Sequence, residues 1–279
     1  MPSRSFSFPA LPAETARAVE AVFGRGNIYL TIGDQIEPLL AGVNPGDLDL
    51  SGEASIMLRT ILALVTVFQF AENLPDRRAS EALRSRLDWK YALHLPLNIP
   101  GLDPLTLCEF RKSLLHDAAA RQVVQQILDR LATFGLLRNG HQQPDVVQVL
   151  TAVCCLSCLE RMVEAMAMAL ETLATYQPEW LRTVARPHWY ERYQGALLKN
   201  ALPYLPHDQE ALAQAIGADA WHLLEAVERA DAALARMPEA QNLRRVWHQQ
   251  FERSADQVKW QPPPSRTCRE ERDVARVAP

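Results

Sequence analysis

The sequence predicts a mainly α-helical fold, on three observations. Apolar residues recur at the three- and four-residue spacing of one helix face through most of the chain. Helix start and stop signals punctuate that pattern at Asp103-Pro104, Asp117, Gly135, Pro178 and Pro238. Only one run, DVVQVL at 145–150, is short and β-branched enough to read as a strand.

Taken in order, residues 13–23 form a short amphipathic helix. The turn-rich Gly42, Asn44, Pro45 and Gly46 follow, and then a longer helix from about 51 to 72. Pro75-Asp76 opens the next, with Ala79, Ala82, Leu83 and Leu87 at helical spacing and Arg77, Arg78, Glu81, Arg84 and Ser85 on the other face. Asp103 before Pro104 is an N-cap followed by a first-turn proline. It launches LTLCEFRKSLL, with Leu107, Phe110 and Leu114 on one stripe. Asp117 caps a helix whose apolar face is Val123, Val124, Ile127, Leu128 and Leu131, and Gly135 stops it. Residues 135–144 read as a linker. After the DVVQVL strand, helices are expected over 151–176, 208–216, 219–236 and 239–253, with breaks at Gly217 and Pro238. The segment after Trp260, rich in proline and charge, is expected to be disordered. No internal repeat is visible.

A chain of 279 residues can bury a sizeable core and makes one large or two small domains. A formal net charge of -4 gives no global attraction for nucleic acid, so DNA binding would need a local basic patch. The N-terminus, MPSRSFSFPALPAE, has no apolar core of a secretory signal. The run Ile61 to Phe70 is too short to span a bilayer and reads as a core helix. Five cysteines, an odd count without framework spacing, point to a reducing compartment, and the cytoplasm is the expected location.

Three groups of residues are candidates for chemistry. Arg77, Arg78, Arg84, Arg86, Lys90, Arg111 and Lys112 outnumber Glu81, Asp88, Asp103 and Glu109 between 77 and 112. Two short helices here, the second with Thr106, Glu109, Lys112 and Ser113 facing outward, suit docking in a major groove. The arginines and lysines would hold phosphates and the polar face would read base edges. The competing reading is a solvated helix face. Cys154, Cys155 and Cys158 form a C-C-x-x-C cluster without a second ligand pair, in a segment where cysteine acts as a small hydrophobe. Trp180, Trp189, Tyr190 and Tyr193 are expected to pack the second helical region. Asp145 alone cannot hold two divalent cations, and aspartate heading a strand is common. No Walker loop, G-x-S-x-G or G-x-G-x-x-G is present.

Residues 68–115, FQFAENLPDRRASEALRSRLDWKYALHLPLNIPGLDPLTLCEFRKSLL, closely resemble the N-terminal domain of bacterial insertion-sequence transposases of the DDE type, the InsH-type domain. The likeness is carried by D-R-x-A-x-E-A-(L/V)-R-x-R-(L/I)-D-W-K-Y-A-L. It continues through QQPDVVQVLTAVCCLSCLERMVEAM, RPHWYERY, AIGADAWHLLEAVE and NLRRVWHQQF, and so spans roughly residues 14 to 260. The resemblance implies a helical domain at 1–140 that recognises double-stranded terminal inverted repeats. It implies the start of a DDE catalytic domain at 141–260. There Asp145 would be the first carboxylate on the first strand of an RNase H-like core, followed by a helical insertion. Residues 261–279 would be a tail. The family mechanism uses two Mg²⁺ ions held by three carboxylates.

The departures weigh against catalysis. Where relatives carry Thr, Ser, Thr and His around the aspartate, this chain has Pro144, Val146, Val147 and Gln148, and Cys154 and Cys158 stand where arginine is expected. After Pro262, Pro263 and Pro264 the Ser-Pro-Tyr-Asp stretch does not follow. The expectation is a truncated chain that lacks the second Asp and the Glu, binds no Mg²⁺ and keeps DNA binding. Self-association or pairing with full-length transposase, as an inhibitor, is the alternative, beside a helical interaction module without a DNA role. A strand at 145–150 without partner strands would leave its backbone unpaired, so the segment either joins the neighbouring helix or self-associates.

Overall fold

The computed structural model describes residues 7–24, 26–43, 56–136, 144–193, 202–203, 206–254 and 257–261. It divides into two compact units, Met1–Val153 and Cys154–Pro279. The fold is mainly α, as the sequence predicts. The division falls inside a long helix and not in the 135–144 stretch, of which 137–143 lie outside the described residues. The expected tail, from 262 on, also lies outside them.

The first unit contains α1 (Ala13–Val22), α2 (Ile28–Asp34), α3 (Ile36–Leu40), α4 (Ile56–Glu72), α5 (Asp76–Ser85), α6 (Leu87–Ala92), α7 (Pro104–His116), α8 (Ala118–Thr133) and the start of α9 (Val146–Tyr176). Every residue from Arg59 to Gln69 of α4 is buried. A helix apolar on all sides must be surrounded, and α5, α7 and α8 pack around this one. Leu64, Val65, Phe68, Leu83, Trp89, Leu107, Leu114, Val124 and Ile127 form its core, each large side chain stabilising by roughly 1.5–3 kcal/mol.

The ends of these helices follow local rules. Asp103 accepts from the Leu105 amide at 2.9 Å, with Pro104 in the first turn of α7, and Asp117 accepts from the Ala120 amide at 3.0 Å to start α8. Helix α4 ends in a left-handed residue, Asn73 at φ 56°, with Leu74 N–H returned to the Gln69 carbonyl at 2.8 Å. That closure is a Schellman motif with asparagine in the glycine position, and the chain leaves it bent by 107° into α5. Helix α6 closes the same way on His94, at φ 49°, with Leu95 N–H on the Lys90 carbonyl at 2.8 Å.

The predicted strand DVVQVL is the first turn and a half of α9. Asp145 Oδ1 accepts from the Gln148 amide at 2.8 Å, and Gln148 Oε1 accepts from the Asp145 amide at 3.2 Å. Reciprocal bonds at this spacing form a capping box. Gln125 Oε1 takes the Val146 N–H at 2.7 Å, satisfying another helix-start donor. With Val146, Val149 and Leu150 buried on one helical stripe, tertiary packing overrides β-propensity.

The second unit holds the rest of α9, then α10 (Pro178–Val184), α11 (Pro187–Tyr193), α12 (Pro206–Ala230), α13 (Ala232–Ala235) and α14 (Pro238–Gln250). A hairpin of β1 (Phe251–Ser254) and β2 (Gln257–Trp260) follows, antiparallel in register Phe251 to Trp260. Met162, Met166, Leu173, Ile216, Leu223, Leu243, Trp247 and Phe251 make the main core. The helix expected to break at Gly217 runs through it. A Cβ there would stand 2.3 Å from the Phe251 ring, and the Gly217 carbonyl accepts from Trp247 Nε1 at 2.9 Å. The glycine therefore permits close approach of the ring and does not interrupt the helix. Residues 251–253, expected to end a helix, are strand. Helix α9 is long and apolar enough to cross a membrane by length and composition, but 61% of its most apolar window is buried among its neighbours, as in an interior helix.

Candidate nucleic-acid interface

The candidate surface rests on two polar networks inside the first unit. In one, Arg111 Nη2 on α7 reaches Asp76 Oδ2 at 2.6 Å and Arg111 Nη1 reaches Gln69 Oε1 at 3.3 Å. Gln69 Nε2 in turn donates to Asp76 Oδ1 at 3.0 Å. Arg111 has no solvent exposure. Three helices, α4, α5 and α7, are thereby tied at one point. A buried pair of this kind fixes geometry more surely than it adds stability.

The second network centres on Arg86, the hinge between α5 and α6. It grips Asp88 with Nε at 3.0 Å and Nη2 at 2.7 Å, and bonds Glu72 on α4 through Nη1. Tyr29 Oη and Trp89 Nε1, the latter at 3.1 Å, also donate to Glu72. The guanidinium lies 5.2 Å from the Tyr29 ring centre and 5.1 Å from that of Trp89, a cation–π arrangement. Burial alone would raise the Asp88 carboxyl, but the hydrogen bonds and charge of Arg86 outweigh it and hold it below its ordinary value. Burial would likewise lower Arg86, and Asp88 and Glu72 together push it up. Burial first, then Glu72, raises the Tyr29 hydroxyl well above its usual range.

These contacts change how the predicted basic residues are distributed. Arg86 and Arg111 are engaged inside the unit. Lys90, 4% exposed, donates to the Leu97 carbonyl at 2.5 Å, and burial lowers its pKa. Of the eight predicted DNA contacts the structure thus buries Arg111 and Lys90 and leaves Arg86 half-buried but held by Asp88 and Glu72, and phosphate would have to displace the oxygens already within reach of each. Arg77, Arg84 and Lys112 are exposed, while Arg78 and Thr106 are half-buried. Arg84 meets Glu81 at 3.3 Å in a solvent-facing pair, which adds little stability and is readily exchanged.

Leu105, Glu109, Lys112 and His116 make the outward stripe of α7, with Leu105 56% exposed. Arg77, Glu81 and Arg84 make that of α5. Between α5 and α7 stands α6 with the long connection from Leu93 to Asp103, not the roughly three- to four-residue turn of a helix-turn-helix. Within that connection, Gly101 has φ +93°, and a Cβ there would stand 3.0 Å from the Ser80 carbonyl oxygen, a position that favours glycine. The arrangement offers two exposed helix stripes with a few cations, on a rigid base.

Sequence reasoning missed the inward partners Gln69, Glu72 and Asp76. A signal for them existed. Arg111 falls on the Leu107–Leu114 stripe and Asp76 on the Ala79–Leu83 stripe, so both sit at core positions by spacing alone.

Asp145 caps α9 and stands on no strand. Its Oδ1 is engaged by the Gln148 amide. Among the described residues no group of three His, Cys, Asp or Glu side chains is placed to hold a metal. The described residues therefore offer Asp145 no partners that would hold a pair of Mg²⁺ ions. In the cysteine cluster, Cys155 and Cys158 are buried. Burial first, then the neighbouring Cys158 and Cys154, pushes the Cys155 thiol up to about 12. Of the aromatic group, Trp189 and Tyr193 are buried, whereas Tyr190 is 68% exposed.

Residues 32–113, from within α2 to α7, match the family described as Transposase domain (DUF772). No curated protein and no solved structure matches the chain.

Proposed function

We propose that this chain acts in DNA transposition, its first unit recognising the terminal inverted repeats of an insertion sequence. The observation that carries the reading is the transposase-domain match. It covers the Arg111 network, the Arg86 network apart from Tyr29, and both exposed stripes apart from His116. The exposed cations Arg77, Arg84 and Lys112 would hold phosphates, and Thr106 and Glu109 would lie toward base edges. Strand cleavage is not assigned to these residues, since Asp145 serves as a helix cap. A chain that binds repeat ends without cutting them would compete with full-length transposase for the same sites.

The test is fluorescence anisotropy of the full chain on a duplex carrying the element's end, against a scrambled duplex of equal length. Three or four cations reach the surface, so log K against log salt should have a slope of about -3 to -4. Lys112→Ala should weaken binding to all sequences alike and reduce that slope by about 1. Equal affinity for the end and the scrambled duplex would sink the recognition of repeats. Unchanged binding in Arg77→Ala and Lys112→Ala together would move the interface elsewhere.

A further inference from the structure

A cleft in the second unit has no part in the surface described above. The last turns of α9 (Val146–Tyr176) and the helices α10 and α11 enclose about 730 Å³, open to solvent. Leu170, Ala174 and Leu181 give it an apolar wall, Tyr190 an aromatic one, and Arg182 and Arg186 a cationic edge. Glu171 is the carboxylate that lines it.

The charge of that edge comes from an unequal sharing. Asp219 on α12 is 3% exposed, and it accepts from Arg192 Nη1, from Tyr193 Oη at 2.9 Å and from His188 Nε2 at 3.2 Å. Arg186 Nη1 stands behind at 3.9 Å. Two guanidiniums therefore share one buried carboxylate, which leaves one positive charge at that edge against the single carboxylate, Glu171, of the described lining. Arg186 is also steadied by His222 Nδ1 at 3.3 Å while remaining 45% exposed. Arg182 meets Glu179 at 2.5 Å, in a pair exposed on both sides and easily exchanged for another anion.

An apolar wall beside an exposed tyrosine and two arginines offers contacts to a planar ring that carries an anion. Bases stack on aromatic side chains without regard to sequence, and the guanidinium fork matches phosphate oxygens. The volume suits one or two nucleotides and is on the scale of small-ligand sites, roughly 300–1,000 Å³. A duplex presents no free base face to such a cleft.

We propose that this cleft holds an unpaired DNA strand, with one base on Tyr190 against the Leu170–Leu181 wall and its phosphate on Arg186 and Arg182. The proposal rests on the role in transposition only for the supply of DNA, and its residues are separate from those of the first unit.

The experiment measures anisotropy of a labelled oligothymidine of about twelve nucleotides with the full chain and its variants. Tyr190 is mostly exposed, so Tyr190→Ala and Tyr190→Phe should fold as the parent does. Binding is expected to weaken about tenfold or more in Tyr190→Ala and to persist in Tyr190→Phe, as a stacking ring predicts. Arg182→Gln and Arg186→Gln should each lower the salt slope by about 0.7. Equal binding by Tyr190→Ala and parent overturns the proposal. So does competition by thymidine 5′-monophosphate at the oligonucleotide's own concentration range, which would mark a mononucleotide site. A shift in sedimentation of the free chain in Tyr190→Ala, with oligonucleotide binding intact, would assign the cleft to a contact between copies and also overturn it. Lys112→Ala is the control. Loss of duplex-end binding with single-strand binding retained would separate the failure of one reading from that of the other.

Discussion

Arg111 shows how little a charge count says about where a charge goes. It lies wholly inside the first unit, against Asp76 and Gln69. Removing one partner of such a pair leaves the other buried and uncompensated, at a cost of about 3–5 kcal/mol. Arg111→Ala is therefore expected to lower the urea midpoint strongly when followed by far-ultraviolet circular dichroism. Replacing both partners by apolar residues, Arg111→Met with Asp76→Leu, should recover much of that loss. A normal midpoint in Arg111→Ala together with lost DNA binding would return Arg111 to the surface. Asp88 makes a pH-dependent contribution of the same kind. Its folded-state pKa is depressed, so the stability it contributes is fully present above the unfolded value of about 3.9 and is lost as pH falls through the folded value. Asp88→Asn should accordingly flatten the decline in stability below about pH 4, and an unchanged acid limb would contradict the Arg86 pairing.

Among the elements, α9 is the instructive case. Its start is set by Asp145 and Gln148 acting on each other's amides, and Asp145→Ala should cost about 1 kcal/mol of stability. DNA affinity in the same variant should stay within error; a large drop there with stability unchanged would speak for a chemical role. Most other starts were legible because they depend on neighbours in sequence. Asp103, Pro104 and Asp117 act within a few residues, and the structure uses each as the sequence predicts. The features that were not legible depend on distant partners. DVVQVL reads as a strand until Gln125 and the core around Val149 are known. Gly217 reads as a break until Phe251 is seen against it. The candidate surface divides along the same line. Lys112 and Arg77 were placed correctly on outward stripes by periodicity. Lys90 was not, because nothing local reveals that the Leu97 carbonyl lies over it.

For the whole molecule, net charge and division into units set the terms. A formal charge of -4 supplies no long-range pull on DNA, so any affinity must come from the few cations that face outward. That is why a shallow salt dependence, and not a steep one, is the expected signature. The two units have separate cores, and unfolding need not be a single step. One detail of the Arg86 network becomes useful here. Of the six tryptophans only Trp89 belongs to the first unit. Its indole N–H is fixed on Glu72, and a guanidinium lies against its ring. The other five tryptophans lie in the second unit, whose share of the ultraviolet emission is therefore expected to be the larger. The difference spectrum between the parent and Trp89→Phe isolates the light of one ring, and with it an optical record of the first unit alone.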